Sequence, residues 1–160
     1  MIHGIHHTAI STGDIERSID FYTSQLGFEL ITRFEWDTSS EWADAITGLQ
    51  GSAARAAMLK LSNAFIEIFE YASPEPRTAD PERPVCDHGI THIALLVTDI
   101  DAEYQRLTAA SMHFNCPPGT QMRAIYGRDP DGNVVELMEV AESSPMALGT
   151  LLHGHRPFAK

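Results

Sequence analysis

The sequence predicts an α+β fold in which one unit, ordered β-α-β-β-β, is used twice. Three observations carry this. First, His7-Thr8-Ala9-Ile10-Ser11-Thr12-Gly13-Asp14-Ile15 can be laid on His92-Ile93-Ala94-Leu95-Leu96-Val97-Thr98-Asp99-Ile100, with His, Ala, an aliphatic residue, Asp and Ile in the same places. Second, Phe65-Ile66-Glu67-Ile68-Phe69-Glu70-Tyr71 matches Val134-Val135-Glu136-Leu137-Met138-Glu139-Val140, both reading apolar-apolar-Glu-apolar-apolar-Glu-apolar. Third, Asp14 and Asp99 each stand before apolar residues at helical spacing, where a carboxylate can accept from the free amides of a first turn. Internal repetition of this kind means two copies of one supersecondary unit.

Taken in order, residues 5–11 read as a strand. Ile15, Ile19, Tyr22 and Leu26 form the buried stripe of a helix, which Gly27 ends as a left-handed cap. Residues 28–34 suit a strand, and residues 55–61 with 64–71 suit a hairpin. His7 and Glu67 are 60 residues apart but His92 and Glu136 only 44, so the first half carries an insertion, placed at residues 36–52. The second half gives a strand over 91–97, a helix with Ile100, Tyr104 and Leu107 inward, and a hairpin of 122–126 with 133–140. Asp129-Pro130-Asp131-Gly132 is its turn. The modules run over 1–72 and 89–141, joined by a proline-rich linker, 73–88, and followed by a tail, 142–160, with about one helical turn near Met146 to Leu152.

The chain of 160 residues can bury roughly two thirds of its unfolded surface, enough for one core without disulfide or metal staples. A formal charge of −11 repels phosphate, which excludes nucleic acid and anionic membrane as main partners. No apolar run reaches the roughly 18 residues of a membrane span. The stretch Met1-Ile2-His3-Gly4-Ile5 lacks the basic and apolar regions of a signal peptide, and two cysteines, Cys86 and Cys116, make no disulfide framework, so a cytoplasmic location is expected.

Side chains alternate along a strand, so His7 shares a face with Ala9 and Ser11, and His92 with Ala94 and Leu96. Glu67 and Glu70 must point to opposite sides, as must Glu136 and Glu139. One of each pair can face solvent. The other, Glu67 or Glu136, sits mid-strand among apolar neighbours and is costly there unless paired or bound to a metal. His7, Glu67, His92 and Glu136 occupy four equivalent positions and make an N2O2 site with open positions for one divalent ion. Such donors suit Zn, Ni, Co, Mn or Fe(II). The competing reading is four polar residues at strand ends satisfied by the backbone; duplication of the whole pattern argues against it. His6 is expected to point away from His7. Arg55 and Arg123 stand 12 and 13 residues before Glu67 and Glu136, where an Arg can clamp a substrate carboxylate or phosphate or form a rim salt bridge. Trp36 and Trp42 in the insertion can close over an apolar substrate or pack against the linker. His113 with Cys116 reads as structural, and His153 and His155 as exposed.

His7-Thr8-Ala9-Ile10, Asp14-Ile15-Glu16-Arg17-Ser18, Phe21-Tyr22 and Leu26-Gly27-Phe28 resemble the opening of the vicinal oxygen chelate (glyoxalase/dioxygenase-like) superfamily. Gly89-Ile90-Thr91-His92-Ile93-Ala94 and Asp129-Pro130-Asp131-Gly132-Asn133-Val134-Val135-Glu136-Leu137 resemble its second module, so the likeness covers about residues 5–140. The resemblance implies paired modules forming an open, cupped, mixed sheet around a divalent metal, with His7, Glu67, His92 and Glu136 at the ligand positions. A carboxylate at Glu67 is similar to glyoxalase I and methylmalonyl-CoA epimerase, whereas ring-cleaving dioxygenases and fosfomycin-type transferases use three ligands. It therefore implies a lyase or isomerase acting on a small vicinal-oxygen substrate through a metal-stabilised enolate, as a homodimer in which ligands come from one chain or from two. The epimerase base is expected where this chain has Gln50, leaving Gln50 and Trp42 as substrate contacts. Glu41 or Asp44, or a ligand carboxylate itself, Glu67 or Glu136, then takes the proton. The alternatives are an Fe(II) ring-cleaving dioxygenase using His7, His92 and Glu136, and a metal-free drug-binding protein.

Overall fold

The computed structural model describes residues 1–153, and His155 lies outside them, as does the side chain of His153. Two compact units result. One is Met1–Arg83 together with Asp129–Gly132; the other is Pro84–Arg128 with the chain from Asn133 onward. Both are α+β with mixed sheets.

The first unit runs β1 (Thr8–Ser11), α1 (Ile15–Asp20), β2 (Glu29–Trp36), α2 (Glu41–Thr47), β3 (Ala53–Leu61) and β4 (Ala64–Ser73). Its sheet has the order β1-β4-β3-β2, with β1 parallel to β4 and the other pairs antiparallel. This is β-α-β-β-β with α2 inserted. Asp14 caps α1 as expected, its Oδ1 accepting from Arg17 N at 3.1 Å. The helix then loosens into a π-helical turn, Phe21–Gln25, before Gly27 at φ +75°. Ile15, Ile19 and Tyr22 pack with Ala57, Leu59, Ile66 and Ile68, all nearly or wholly buried. Those sheet residues share one face of β3 and β4, which assigns Ala54, Ala56, Met58, Phe65, Glu67, Phe69 and Tyr71 to the opposite, open face.

The second unit runs β5 (His92–Leu96), α3 (Ile100–Ala109), β6 (Ala124–Arg128), β7 (Val134–Met138) and α4 (Leu148–His153), with sheet order β5-β7-β6. Asp99 Oδ1 accepts from Ala102 N at 3.0 Å, repeating the Asp14 cap. Ile100 and Leu107 pack with Ile125, Val135 and Leu137. Here the strand between helix and hairpin is reduced to one bridge, Phe114 to Gly127. The reason lies in residues 113–119, where Asn115, Pro117, Pro118 and Gly119 resist an extended ladder.

The Asp129–Gly132 turn does more than reverse the chain. Asp131 accepts from Thr12 Oγ1 (2.7 Å), Ser18 Oγ (3.0 Å) and Arg17 Nη2 (2.6 Å), and Asp129 accepts from the buried Tyr22 hydroxyl at 2.9 Å. Burial, and then the Asp129 carboxylate, push the Tyr22 phenol far above its usual value near 10. A raised acid keeps its proton in the folded state, so its contribution to stability is complete below the unfolded pKa and is lost as pH rises beyond it. Stability should therefore fall above about pH 10 by up to about 1.4 kcal/mol per pH unit. Tyr22→Phe should flatten that alkaline limb while costing about 1–3 kcal/mol at neutral pH, because Asp129 loses a buried donor. Urea unfolding at pH 8 and pH 11 reads both; equal slopes in the two proteins would refute the assignment.

Candidate metal centre

In the first unit His7 Nε2 lies 3.0 Å from Glu67 Oε2; in the second His92 Nε2 lies 3.1 Å from Glu136 Oε2. In β5–β7 register explains the pair: Ala94 is opposite Glu136, so His92 stands two residues earlier on the same face. In the first unit Ala9 is opposite Glu67, and His7, one residue before β1, reaches that carboxylate from the strand's entry. Both carboxylates are largely sheltered, at 12% and 14% side-chain exposure, while the imidazoles stay more open at 34% and 29%. The other ring nitrogen is engaged by the preceding residue in each case: His7 Nδ1 by His6 Nδ1 at 2.8 Å, His92 Nδ1 by Thr91 Oγ1 at 2.9 Å. Nδ1 held from behind and Nε2 presented forward is the arrangement that orients an imidazole for a metal.

His6 does not point away from His7. β1 begins only at Thr8, so strand alternation does not reach back to His6, which turns towards His7 and stacks on Phe65 at 6.1 Å.

Among the described residues no three His, Cys, Asp or Glu side chains gather in one cluster. Each unit thus carries one His–Glu pair, two nitrogen and two carboxylate donors in all. The donor chemistry of each pair, an imidazole nitrogen beside a carboxylate oxygen, suits a borderline first-row ion. His113 and Cys116 join no such cluster.

The arginines lie elsewhere. Arg55 is opposite Glu70 in the β3–β4 register, on the helix-packed face, and Arg123 pairs with Glu139. Arg55 Nη2 donates to Glu70 Oε2 at 2.5 Å, and the same oxygen accepts from Ile15 N at 3.2 Å. The second unit repeats this: Arg123 Nη2 donates to Glu139 Oε2 at 2.8 Å, which accepts from Ile100 N at 3.2 Å. Glu16 and Asp101, in the first turns of α1 and α3, complete the two networks at 3.5 and 2.6 Å. The second Glu of each repeat therefore holds a helix start instead of merely facing water, and the arginines form salt bridges. The signal was present in the duplicated Arg-to-Glu spacing.

The insertion also differs from expectation. Asp44 is no free base: its two oxygens accept from Gly51 N (2.6 Å) and Ser52 N (2.8 Å), and Ser52's hydroxyl and amide hold its pKa below the usual carboxylate value. Gln50 is exposed on the loop that Asp44 braces. Trp42, on α2, is 57% exposed and touches Trp36 at 5.9 Å. Trp36 belongs to β2 and not to the insertion, and it packs against Phe34, Phe69 and Tyr71 at 5.9–6.3 Å. Sequence reasoning missed this group, although Phe34 and Trp36, like Phe69 and Tyr71, alternate within their strands. Tyr71 is raised by desolvation and by the charge of Glu67, so it stays a neutral phenol at physiological pH.

Comparison with known proteins agrees with this architecture. A Glyoxalase family protein from Bacillus cereus superimposes with a TM-score of 0.78 over 87% of this chain and 95% of its own, at 22% identity, which shows the fold. The 2-epi-5-epi-valiolone epimerase of an Actinomyces species is 29% identical over 96% of this chain and 88% of its own length. The lactoylglutathione lyase of Pseudomonas putida is 28% identical over 84% of this chain and 83% of its own. The pattern of one superfamily matches residues 4–137, covering both repeats and both His–Glu pairs, and the chain belongs to that family, the Glyoxalase/Bleomycin resistance protein/Dioxygenase superfamily.

Proposed function

We propose that this chain is a divalent-metal-dependent isomerase or lyase of the glyoxalase or epimerase type. It would move a proton on a carbon beside a carbonyl in a small substrate with two neighbouring oxygens. The observation that carries this is the duplicated His–Glu pair, at 3.0 and 3.1 Å, on the open face of each sheet. The relatives named as an epimerase and a lyase support the same class.

His7, Glu67, His92 and Glu136 would hold the ion, with both modules, 1–72 and 89–141, serving one domain. A bound divalent ion would polarise the substrate's paired oxygens and ease loss of the neighbouring proton. The chain's own part is the rest. His6 and Thr91 keep Nε2 of each ligand imidazole facing forward. Glu67 or Glu136 accepts the proton at a carboxylate oxygen and returns it. With Asp44 engaged by the loop and Gln50 unable to act as a base, no dedicated base in the insertion is needed. A homodimer is part of this reading, since β1 and β2 are the edge strands of the four-stranded sheet and two-fold pairing is the commonest way to cover such edges. A cytoplasmic location accords with the free cysteines Cys86 and Cys116, and no helix among the described residues is long and apolar enough to cross a membrane.

Metal analysis tests the reading directly. One ion per four-ligand set is expected, and His7→Ala or His92→Ala should weaken its binding by more than the roughly 10–100-fold typical of outer-shell partners. Metal-free protein after growth and reconstitution in excess Zn, Ni, Co, Mn and Fe(II) would overturn it. Oxygen uptake by anaerobically Fe(II)-loaded protein on a ring-diol substrate would instead favour a dioxygenase.

A further inference from the structure

The His–Glu pairs, the aspartate caps and the Arg–Glu networks all occur twice. The carboxylate of Asp131 is held by a contact that is not repeated, and both of its sides break the repeat. Its Oδ2 accepts from Thr12 Oγ1 at 2.7 Å and Ser18 Oγ at 3.0 Å, and its Oδ1 from Arg17 Nη2 at 2.6 Å and Gly13 N at 3.4 Å. Laying His92 on His7 puts Val97, Ala102 and Glu103 where the first half has Thr12, Arg17 and Ser18, so the second half lacks the matching side-chain donors. The hairpin turn equivalent to Asp129–Gly132 is Ser62-Asn63, between β3 and β4, and it has no aspartate.

The contact is sheltered. Thr12 and Ser18 are buried, and the Asp131 side chain is 18% exposed. A carboxylate withdrawn from water is stabilised only by donors of fixed geometry, here two hydroxyls, an amide and a guanidinium. The turn is braced on its other sides as well. Asp129 Oδ1 accepts from Asp131 N at 2.9 Å while its Oδ2 accepts from the Tyr22 hydroxyl, and Pro81 lies directly against Gly132. Asp131 is thus a fixed point, and two strands run on from it. Thr12 follows β1 directly, and its amide donates to Phe69 O at 2.8 Å, which ties it to β4 and so to the strand of Glu67. His7 stands five residues before Thr12, and Glu136, in β7, five residues after Asp131. A ladder-paired strand is extended and stiff, rising about 3.3 Å per residue, so a shift at its entry is carried along it.

We infer that Asp131 is a positioning residue of the metal centre: its bond to Thr12 joins the strand entered through His7 to the strand that carries Glu136, and so fixes how the two His–Glu pairs are presented to one ion. This rests on the proposed four-ligand site. Each pair is set within its own sheet, through β1–β4 or β5–β7, and persists without the joint. What the joint adds is simultaneity. With it, an ion held by one pair meets the other at a high effective concentration. Without it, the pairs act as separate two-donor sites, and the gain from engaging all four donors at once is lost.

The experiment titrates full-length, metal-stripped protein with Co(II) and follows the visible absorption of the ion, which depends on its ligand set. The parent should bind one ion per chain. Asp131→Ala should raise the Co(II) Kd by about 10–100-fold, as loss of an outer-shell partner commonly does, and should alter the absorption at saturation. Asp131→Asn keeps an acceptor oxygen for the hydroxyls but no charge for Arg17, and should fall between parent and alanine variant. Thr12→Val removes the joining hydroxyl alone and should weaken binding in the same direction. These two variants carry the test if Asp131→Ala does not fold. Gly27→Ala is the stability control, in the same unit but outside the contact, and should keep the parental Kd and spectrum. An unchanged Kd in the Asp131 and Thr12 variants overturns the inference and leaves the metal reading intact. Equal weakening in Gly27→Ala overturns it too, since loss of stability then explains the effect. A parent protein that takes up no Co(II) overturns the four-ligand reading and the inference with it.

Discussion

Glu136→Gln and Glu67→Gln are each expected to slow exchange of the substrate's α-proton with solvent by about 10²–10⁴-fold, the usual contribution of a positioned acid or base. Metal should be retained in part, because an amide oxygen still coordinates. The two effects separate a residue that carries a proton from one that only binds. A ligand with no other duty would show losses of metal and of exchange that run in parallel. Glu41→Gln and Asp44→Asn are the controls in the insertion. Asp44 is occupied with the amides of Gly51 and Ser52 and its proton affinity is lowered by them, so it is a poor acceptor. Both controls should leave exchange within a few-fold of the parent. Deuterium incorporation followed by mass spectrometry, with metal measured on each variant, reads all four. Full exchange in both glutamine variants, with Glu41 or Asp44 essential, would move the base into the insertion.

The largest loss of stability from a small change is expected at Gly132. Its φ is +86°, in the region that side chains avoid, and an added Cβ would meet Pro81 Cα at 2.3 Å and Pro81 O at 2.5 Å. Those are backbone atoms and cannot swing aside as a side-chain tip would. Conformational strain of about 1–2 kcal/mol adds to an overpacking cost of about 1–3 kcal/mol. Gly132→Ala should therefore lose about 3 kcal/mol in urea unfolding. Gly27→Ala isolates the first part, since Gly27 has φ +75° with open space around its Cβ position, and should lose about 1–2 kcal/mol. Equal losses in the two variants would mean that the Pro81 segment yields without resistance.

Much of this was legible from the residues. The repeat located both sheets, both helix starts and both His–Glu pairs, because local rules of capping and alternation act identically in the two copies. What was hidden depended on pairing between distant strands. Arg55 and Arg123 could be read as substrate clamps or as rim salt bridges; register sets Arg55 opposite Glu70, and Arg123 forms ion pairs with Glu139 and Asp101. His6 was misplaced because a period of two was extended past the start of β1. The Phe34–Trp36–Phe69–Tyr71 group needed the order β4-β3-β2, which no single strand states. The missing strand near Phe114 came from assuming that a repeat copies every element, although residues 113–119 are too rich in proline and glycine to form it.

The Asp129–Gly132 turn also governs the order in which the molecule can be built. Thr12 and Asp131 are 119 residues apart in sequence, and Tyr22 and Asp129 107 apart. During synthesis the amino-terminal helix leaves the ribosome long before the aspartates that complete its surroundings. Until then Thr12, Ser18 and Tyr22 keep polar groups without their eventual partners. Contacts of such separation require closing a long loop before they repay its entropy, which slows folding and raises contact order. A nascent or truncated chain ending at Arg83 thus lacks part of its own first unit. Completion of the first unit therefore waits on translation of the Asp129–Gly132 turn.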